Sequence, residues 1–510
     1  MLNLVYLISF GVIILGLLLW TNFNSEKADK IFRGMTLTAL LAYGLSWLFQ
    51  VAPVEYKLEI AFRDLLVVAA SGAVFTYVAR KRKLFLLLLS ITIAIGYWYY
   101  KTELTQSFPF EVTSTSEIDE TGELLIELKA GLSDNEMQEF QSWANQNRVT
   151  LQTAFDDIIR IEDTDLDDYW VLDLPEKANL INTIKKLEAL SFVESVERNE
   201  VIMVNPIIPT KLPKKINQRF GINDPGLEQL WSFEKMKMDK LYQLLDQQSS
   251  APQKQALVAI LDTGVDSQHE DLKGNYKSVV KSSDNDPKGH GTHCAGIAGA
   301  VSNNGVGVAS FSRTNEYVDI TSIKVLNSMG YGTQKSIING IVKAADSGAD
   351  VISLSLGGPS DDRKQRAYSQ AVEYANQAGA IVVVAAGNSN MNAKKYSPVN
   401  SKGVIGVSAI DQDLKRASFS NFVQDISMGI AAPGVGIYST IPGNQYATYN
   451  GTSMATPYVA GLVGLMKYMK PDLDTKEAFR ILKETGIKTG NTKETGMFIQ
   501  PTEAIKALNK

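Results

Sequence analysis

From Ala256 onward, short apolar runs rich in β-branched residues alternate with segments of helical periodicity, and this alternation constrains the chain more than any other feature. Ala256 to Leu261, Ile320 to Leu326, Val351 to Leu356, Ile381 to Ala385 and Val404 to Ala409 read as strands. Between them, stretches near 290–300, 334–347 and 364–378 read as helices, and another begins near Ser453. Runs apolar throughout their length suit strands buried on both faces, so the pattern predicts an α/β domain with a doubly wound parallel sheet. In such a sheet, ligands bind beyond the carboxyl ends of the strands.

Chemically capable residues fall at that rim. Asp262 ends the first strand, where a buried carboxylate needs a partner. His290 opens a helix within Gly289-His290-Gly291-Thr292-His293-Cys294-Ala295-Gly296, whose small residues permit close approach to the sheet. Ser453 opens another helix within Gly451-Thr452-Ser453-Met454-Ala455-Thr456-Pro457. A nucleophile there gains from the helix dipole and from free backbone N–H groups as negative charge develops.

These strings, in the order Asp, His, Ser and joined by Ala386-Gly387-Asn388, resemble the subtilases, the subtilisin-like serine peptidases, from about Asn223 to Ala460. The resemblance implies that His290 takes the Ser453 proton, Asp262 orients and stabilises the imidazole, and Asn388 with the Ser453 N–H holds the oxyanion. It further implies that Gly330-Tyr331-Gly332 and Ser355-Leu356-Gly357 flank an extended peptide substrate bound as an added strand. No cofactor is required for this chemistry. Asp271 matches a calcium ligand of the family, but the loop Ser302-Asn303-Asn304-Gly305 looks short, and a structural calcium is left open. Cys294 matches the thiol-containing branch, sensitive to bulky thiol reagents without being a nucleophile. His290, His293 and Cys294 also spell a weak metal signature, with no fourth ligand at hand. A metal-dependent hydrolase and a catalytically silent membrane-bound peptide receptor therefore stand as alternatives.

Upstream, four apolar runs at about 1–20, 35–53, 60–79 and 84–100 approach the length of membrane-crossing helices. Lys27, Lys30 and Arg33 follow the first run, and Arg80 to Lys83 follow the third, which assigns those two loops to the cytoplasm. Four crossings then place everything after Tyr97-Trp98-Tyr99-Tyr100 on the non-cytoplasmic side of the cell membrane. The first hundred residues are expected to be a multi-pass anchor, followed by a linker over 101–120.

Residues 121–204 read as strand, helix, strand, strand, helix, strand, the order of a small α+β ferredoxin-like unit. Ser133 and Glu136 make a capping box ahead of Met137, Phe140 and Ala144 on one helical face. The region 111–205 carries 7 Lys and Arg against 22 Asp and Glu, whereas the chain beyond it carries 33 against 27, giving charges of -15 and +6. Opposite charges favour docking, and nothing has the basic, aromatic-laced look of a nucleic-acid surface. Next to a subtilase domain at 220–510, this region resembles the family's inhibitor-type prodomain, whose tail occupies the active cleft. The linker 205–219 holds Pro206, Pro209 and Pro213, and self-cleavage is expected between about Val204 and Phe220. The expected partners are thus a protein or peptide substrate, the chain's own prodomain and the lipid bilayer.

Overall fold

A computed structural model of the chain describes residues 26–49, 122–203 with short gaps, 219–247, 254–360 and 366–508, besides a few positions between 12 and 19. Its residues fall into two compact units, 1–114 and 115–510. In the first, helix α1 (Glu26–Phe49) begins well before the run expected at 35–53. Lys27, Lys30 and Arg33 therefore lie in a helix rather than in the loop expected for them, because nothing between Glu26 and Phe49 breaks the helix except two tolerable glycines. Among the described residues no helix is long and apolar enough to cross a membrane. The runs at 60–79 and 84–100, most of 1–20, and the cleavage segment beyond 203 lie outside the described residues.

In the second unit, β1 (Leu124–Leu128), α2 (Asp134–Asn147), β2 (Thr150–Thr153), β3 (Tyr169–Asp173), α3 (Leu180–Glu188) and β4 (Val193–Arg198) form an antiparallel sheet in the order β2-β3-β1-β4. The Ser133 hydroxyl accepts from the Glu136 N–H, and the Glu136 carboxylate accepts from the Ser133 N–H at 2.9 Å, closing both ends of the capping box. Phe140 is wholly buried and meets Trp170 and Phe192 edge-on, at 5.9 and 6.1 Å between ring centres. The expected strand from Phe192 to Val204 is divided in two. β4 stays in this sheet, and β5 (Val201–Met203) leaves it to pair elsewhere.

The large sheet is parallel throughout. Its strands are β6 (Ala256–Asp262), β7 (Val318–Lys324), β9 (Val351–Leu354), β10 (Ile381–Ala385), β11 (Val404–Ile410), β12 (Gly429–Pro433) and β13 (Met497–Phe498). They lie in the order β13-β12-β11-β10-β9-β6-β7. Successive residues of β6 point into different cores. Val258 and Ile260 join the core that holds α4 (His290–Gly299) and α7 (Thr452–Met469), whereas Ala259 and Leu261 join that of α5 (Gln334–Asp346) and α6 (Arg366–Gln377). Burial on both faces explains why these strands read as unbroken apolar runs rather than alternating ones. The short β8 (Tyr331–Thr333) stands outside the sheet and pairs antiparallel with β5.

Because Phe140 is the aromatic centre of the small core, Phe140→Ala should cost that unit about 3–5 kcal/mol. Hydrogen exchange on the full chain checks this: amides of β1 and β3 should lose protection while those of β10 and β11 keep theirs, and unchanged protection in β1 would contradict it.

Candidate active site

The strand and helix ends meet where the sheet topology predicts. Asp262, the last residue of β6, is completely buried. His290, the first residue of α4, donates from Nδ1 to the Asp262 carboxylate, lying 2.8 Å from each oxygen. Two glycines make this possible. Gly289 takes the left-handed conformation at φ 91°, and a side chain on Gly291 would come within 2.1 Å of the Gly264 carbonyl. Burial depresses the basicity of His290, but the charge and hydrogen bond of Asp262 outweigh it, and the imidazole ends above its ordinary pKa.

Ser453 lies in the first turn of α7, almost wholly buried. Its hydroxyl donates to the Ser355 carbonyl at 3.0 Å, and the Ser355 hydroxyl donates to the Ser453 carbonyl at 2.8 Å. Cys294, from the His290 helix, also donates to that carbonyl at 3.5 Å. Asp262 and His290 are therefore joined directly, while the Ser453 proton rests on Ser355 and must turn to His290 for transfer, a looseness common in sites without substrate. Beside them, the Asn388 side-chain oxygen accepts from the Thr452 N–H at 2.8 Å and from its hydroxyl at 3.0 Å. With its oxygen occupied, Asn388 presents its NH₂ as the free end. Asn421 clamps the loop around it, donating to the Ala386 carbonyl and accepting from the Ser389 and Met391 N–H groups.

Of the two segments expected to bind an extended chain, one is occupied. Ile202 of β5 pairs with Gly332, and Met203 with Tyr331, so the tail of the small unit is an added strand on this edge. Ile202 is fully buried in the core that holds Leu326, Ile337 and Leu356. On the other segment, Ser355 is held by Ser453, and Gly357 leads into the strand Gly358–Pro359, which lies close to β5.

The same small unit places a carboxylate on the N-terminus of α6 and a side-chain amide on that of α5. Glu197 is buried; one oxygen accepts from the Arg366 and Ala367 N–H groups of α6 at 3.0 and 3.2 Å, the other from the Gln334 side chain at the start of α5 at 2.6 Å. Asn199 accepts from the Lys335 N–H of α5. Arg366 adds ion pairs to Glu127 at 3.3 Å and Glu194 at 2.9 Å. Orphan helix donors and carboxylates satisfy one another here, so the charge complementarity of the two regions acts at particular atoms.

Cys294 has its thiol pushed well up by burial, which opposes thiolate chemistry. Asp262, His290 and Cys294 present ligand-type atoms within 4.8 Å of one another. A metal there would have to displace the Nδ1–H bond that both carboxylate oxygens share. His293 does not join them: it donates from Nε2 to the Ala447 carbonyl at 3.1 Å, stacks on Tyr449 at 4.0 Å, and has its pKa held down to about 3 by burial. His269 similarly turns Nε2 to the Gln445 carbonyl.

The residues singled out Asp271, but sequence reasoning missed its buried neighbour Asp224. Asp271 accepts from the Asn304 side chain and the Val308 N–H, both at 2.8 Å. Asp224 accepts from the Asn303 and Asn304 N–H groups at 2.7 and 3.1 Å. Burial, then the neighbouring charges of Asp224 and Glu270, push Asp271 up to about 8 despite these bonds. The two carboxylates are wholly buried and repel one another, and each of their four oxygens accepts from an N–H group of the neighbouring loop. The signal available was Asn223-Asp224 at the edge of the recognised region, set against Asp271 in a second segment.

Comparison with known proteins agrees with this geometry. The Subtilase family profile matches residues 253–498. The chain is 46% identical to thermitase of Thermoactinomyces vulgaris over 216 residues, covering 41% of this chain and 74% of thermitase. It is 41% identical to subtilisin DY of Bacillus licheniformis over 241 residues, covering 46% and 85%. Subtilisin Savinase of Lederbergia lenta gives 40% over 250 residues, covering 48% and 89%. A solved structure of proteases from Pseudoalteromonas arctica PAMC 21717 superposes with a TM-score of 0.50 at 29% identity, covering 56% of this chain and 99% of that one. With its parallel sheet, its strand-end carboxylate and its helix-borne imidazole and hydroxyl, this chain belongs to the subtilase family of serine endopeptidases.

Proposed function

We propose that the chain is a membrane-tethered endopeptidase, made as a self-inhibited zymogen, that cuts peptide bonds with Asp262, His290, Ser453 and Asn388. The direct His290–Asp262 bond carries the reading, since it fixes which imidazole nitrogen is free to accept a proton. In the reaction, the Ser453 hydroxyl turns from Ser355 to His290, gives up its proton and attacks the scissile carbonyl. The forming oxyanion is met by the Ser453 N–H, unpaired within the helix at that end, and by the Asn388 NH₂, which Thr452 aims by holding the amide oxygen. His290 returns the proton to the leaving amine, and water repeats the cycle to free the acyl group. Peptide substrate pairs as a strand between Gly330-Tyr331-Gly332 and Ser355-Leu356-Gly357.

The prodomain reading rests on β5, which already occupies one of those edges, and on Glu197 and Asn199, which close the N-termini of α6 and α5. A cut between Val204 and Phe220 frees the peptidase from the first hundred residues. The tether itself rests on the four apolar runs and their flanking bases, and it places both later domains outside the cytoplasm. Asp224 and Asp271, with the Asn304 amide, are the residues that would hold a structural calcium, whose charge relieves their repulsion.

Two experiments follow. Wild type and Ser453→Ala are expressed at full length, membranes are washed with alkaline carbonate, and N-termini are sequenced. The Ala variant should stay intact in the washed membranes, whereas the wild type should yield a soluble fragment that begins within 205–220. Processing that persists in the Ala variant contradicts self-cleavage, and an intact variant washed off the membranes contradicts the tether. For calcium, millimolar ion should raise Tm over chelator in the wild type and lose that effect in Asp271→Asn; equal Tm values in the wild type would dismiss the site.

A further inference from the structure

One buried carboxylate beside the triad has no part in the steps above. Asp286 is only 6% exposed and satisfies five donors. One oxygen accepts from the Lys288 N–H at 3.0 Å, the Gly289 N–H at 2.8 Å and the Thr263 hydroxyl at 2.8 Å. The other accepts from the Thr292 N–H at 2.8 Å and the Thr292 hydroxyl at 2.7 Å. Asp286 thereby serves as the N-cap of the His290 helix, since Gly289 has no side chain to do so.

Thr263 makes the connection to Asp262. Its hydroxyl oxygen stands 3.2 Å from Asp262 Oδ1 and 2.8 Å from Asp286 Oδ1, and it accepts from the Gly291 N–H at 3.2 Å. A threonine hydroxyl has one proton to give, so two carboxylates compete for it, and the shorter contact goes to Asp286. While Asp286 holds that proton, Asp262 is left with the Thr263 N–H at 2.8 Å and His290, and more of its charge remains to act on the imidazole.

We propose that Asp286 is a positioning residue for the Asp262–His290 pair, drawing the Thr263 hydroxyl away from Asp262 and fixing the first turn that carries His290. The inference rests on the serine-peptidase reading and deepens it. Two effects of Asp286 act on His290 in the same direction. Its own negative charge favours the imidazolium, and its claim on Thr263 leaves Asp262 the stronger partner. Among the described residues, the other ionisable groups that face this cluster are Lys288 from the turn, His293 and Cys294 from the same helix, and Tyr449, with His293 kept neutral by burial. Only Lys288 among them is a cation, and it opposes Asp286.

The test uses the full chain as wild type, Asp286→Asn, Thr263→Val and the double variant. The readouts are the pH profile of kcat/KM on a peptide substrate, the proton resonance of His290 Nδ1–H, and Tm. Asparagine is nearly isosteric with aspartate but offers one acceptor oxygen to donors that now share two, so Tm and the Nδ1–H resonance establish that each variant is folded; Asp286→Glu, which keeps the charge, is the second variant and should hold the acid limb near its wild-type position. Asp286→Asn should move the acid limb, and the titration of the Nδ1–H resonance, to lower pH by on the order of one unit, with kcat lowered and KM unchanged. In the Thr263→Val background the same substitution should move them less, because the route through the hydroxyl is gone. An acid limb that stays in place in folded Asp286→Asn, with only Tm reduced, would reduce Asp286 to a structural cap and overturn the proposal. Equal displacement in both backgrounds would remove Thr263 from it. If the wild type cuts no peptide while the resonance still moves in Asp286→Asn, the positioning role stands and the peptidase reading fails.

Discussion

Everything distinctive in the large domain depends on one buried hydrogen bond, from the Nδ1–H of His290 to the Asp262 carboxylate. A carboxylate with no exposure is costly unless something close and well oriented compensates it. The fold supplies that partner by ending β6 at Asp262 and starting α4 at His290, and it brings the two together by removing side chains at Gly289 and Gly291. A β-carbon at Gly291 would collide with the Gly264 carbonyl and push the imidazole away. Conformational freedom and close approach at two glycines are therefore as much a part of the site as the ionisable groups.

The small acidic unit uses the same physics in reverse. Helix N-termini in the large domain expose N–H donors, and Glu197 and Asn199 fill them at α5 and α6 while β5 pairs with the edge beside them. Ile202 adds apolar burial in the adjoining core. Polar capping, strand pairing and apolar burial thus act together along one continuous surface. A peptide that replaced β5 would gain the strand pairing and the apolar burial but not the caps.

Much of this was legible in the residues. β6, β10 and β11 announce themselves as buried apolar runs, and the capping box at Ser133 and Glu136 marks a helix start to the residue. Asp262, His290 and Ser453 stand at ends of elements that the apolar and helical pattern locates, whereas Asn388 was singled out through the family resemblance. Less legible was anything decided by contacts distant along the chain. β12 and β13 escaped because Gly429–Pro433 and Met497–Phe498 are short and carry little strand character. The departure of β5 from the small sheet depends on an edge 130 residues away, between Ile202 and Gly332. Asp286 and Thr263 look like ordinary turn residues until the fold sets one hydroxyl between two carboxylates; the Asp-Pro-Lys-Gly string ahead of His290 signalled a turn but not its partner. The early start of α1 reflects continuous helix propensity across charged residues that a hydropathy reading had given to a loop.

The most direct measurement is the rate at which a fluorophosphonate modifies the protein as a function of pH, with the modified residue mapped by mass spectrometry. Attack requires a neutral His290 to take the Ser453 proton, and Asp262 raises the imidazole above its ordinary pKa. Labelling should therefore fall on Ser453 alone, with a rate that climbs as pH rises through a value above that of a free histidine. In Asp262→Asn the rate should drop by orders of magnitude, as loss of the orienting carboxylate does in other triads, by roughly 10⁴-fold in kcat. Modification of a different residue, or a rate at Ser453 indifferent to both pH and Asp262, would contradict the account.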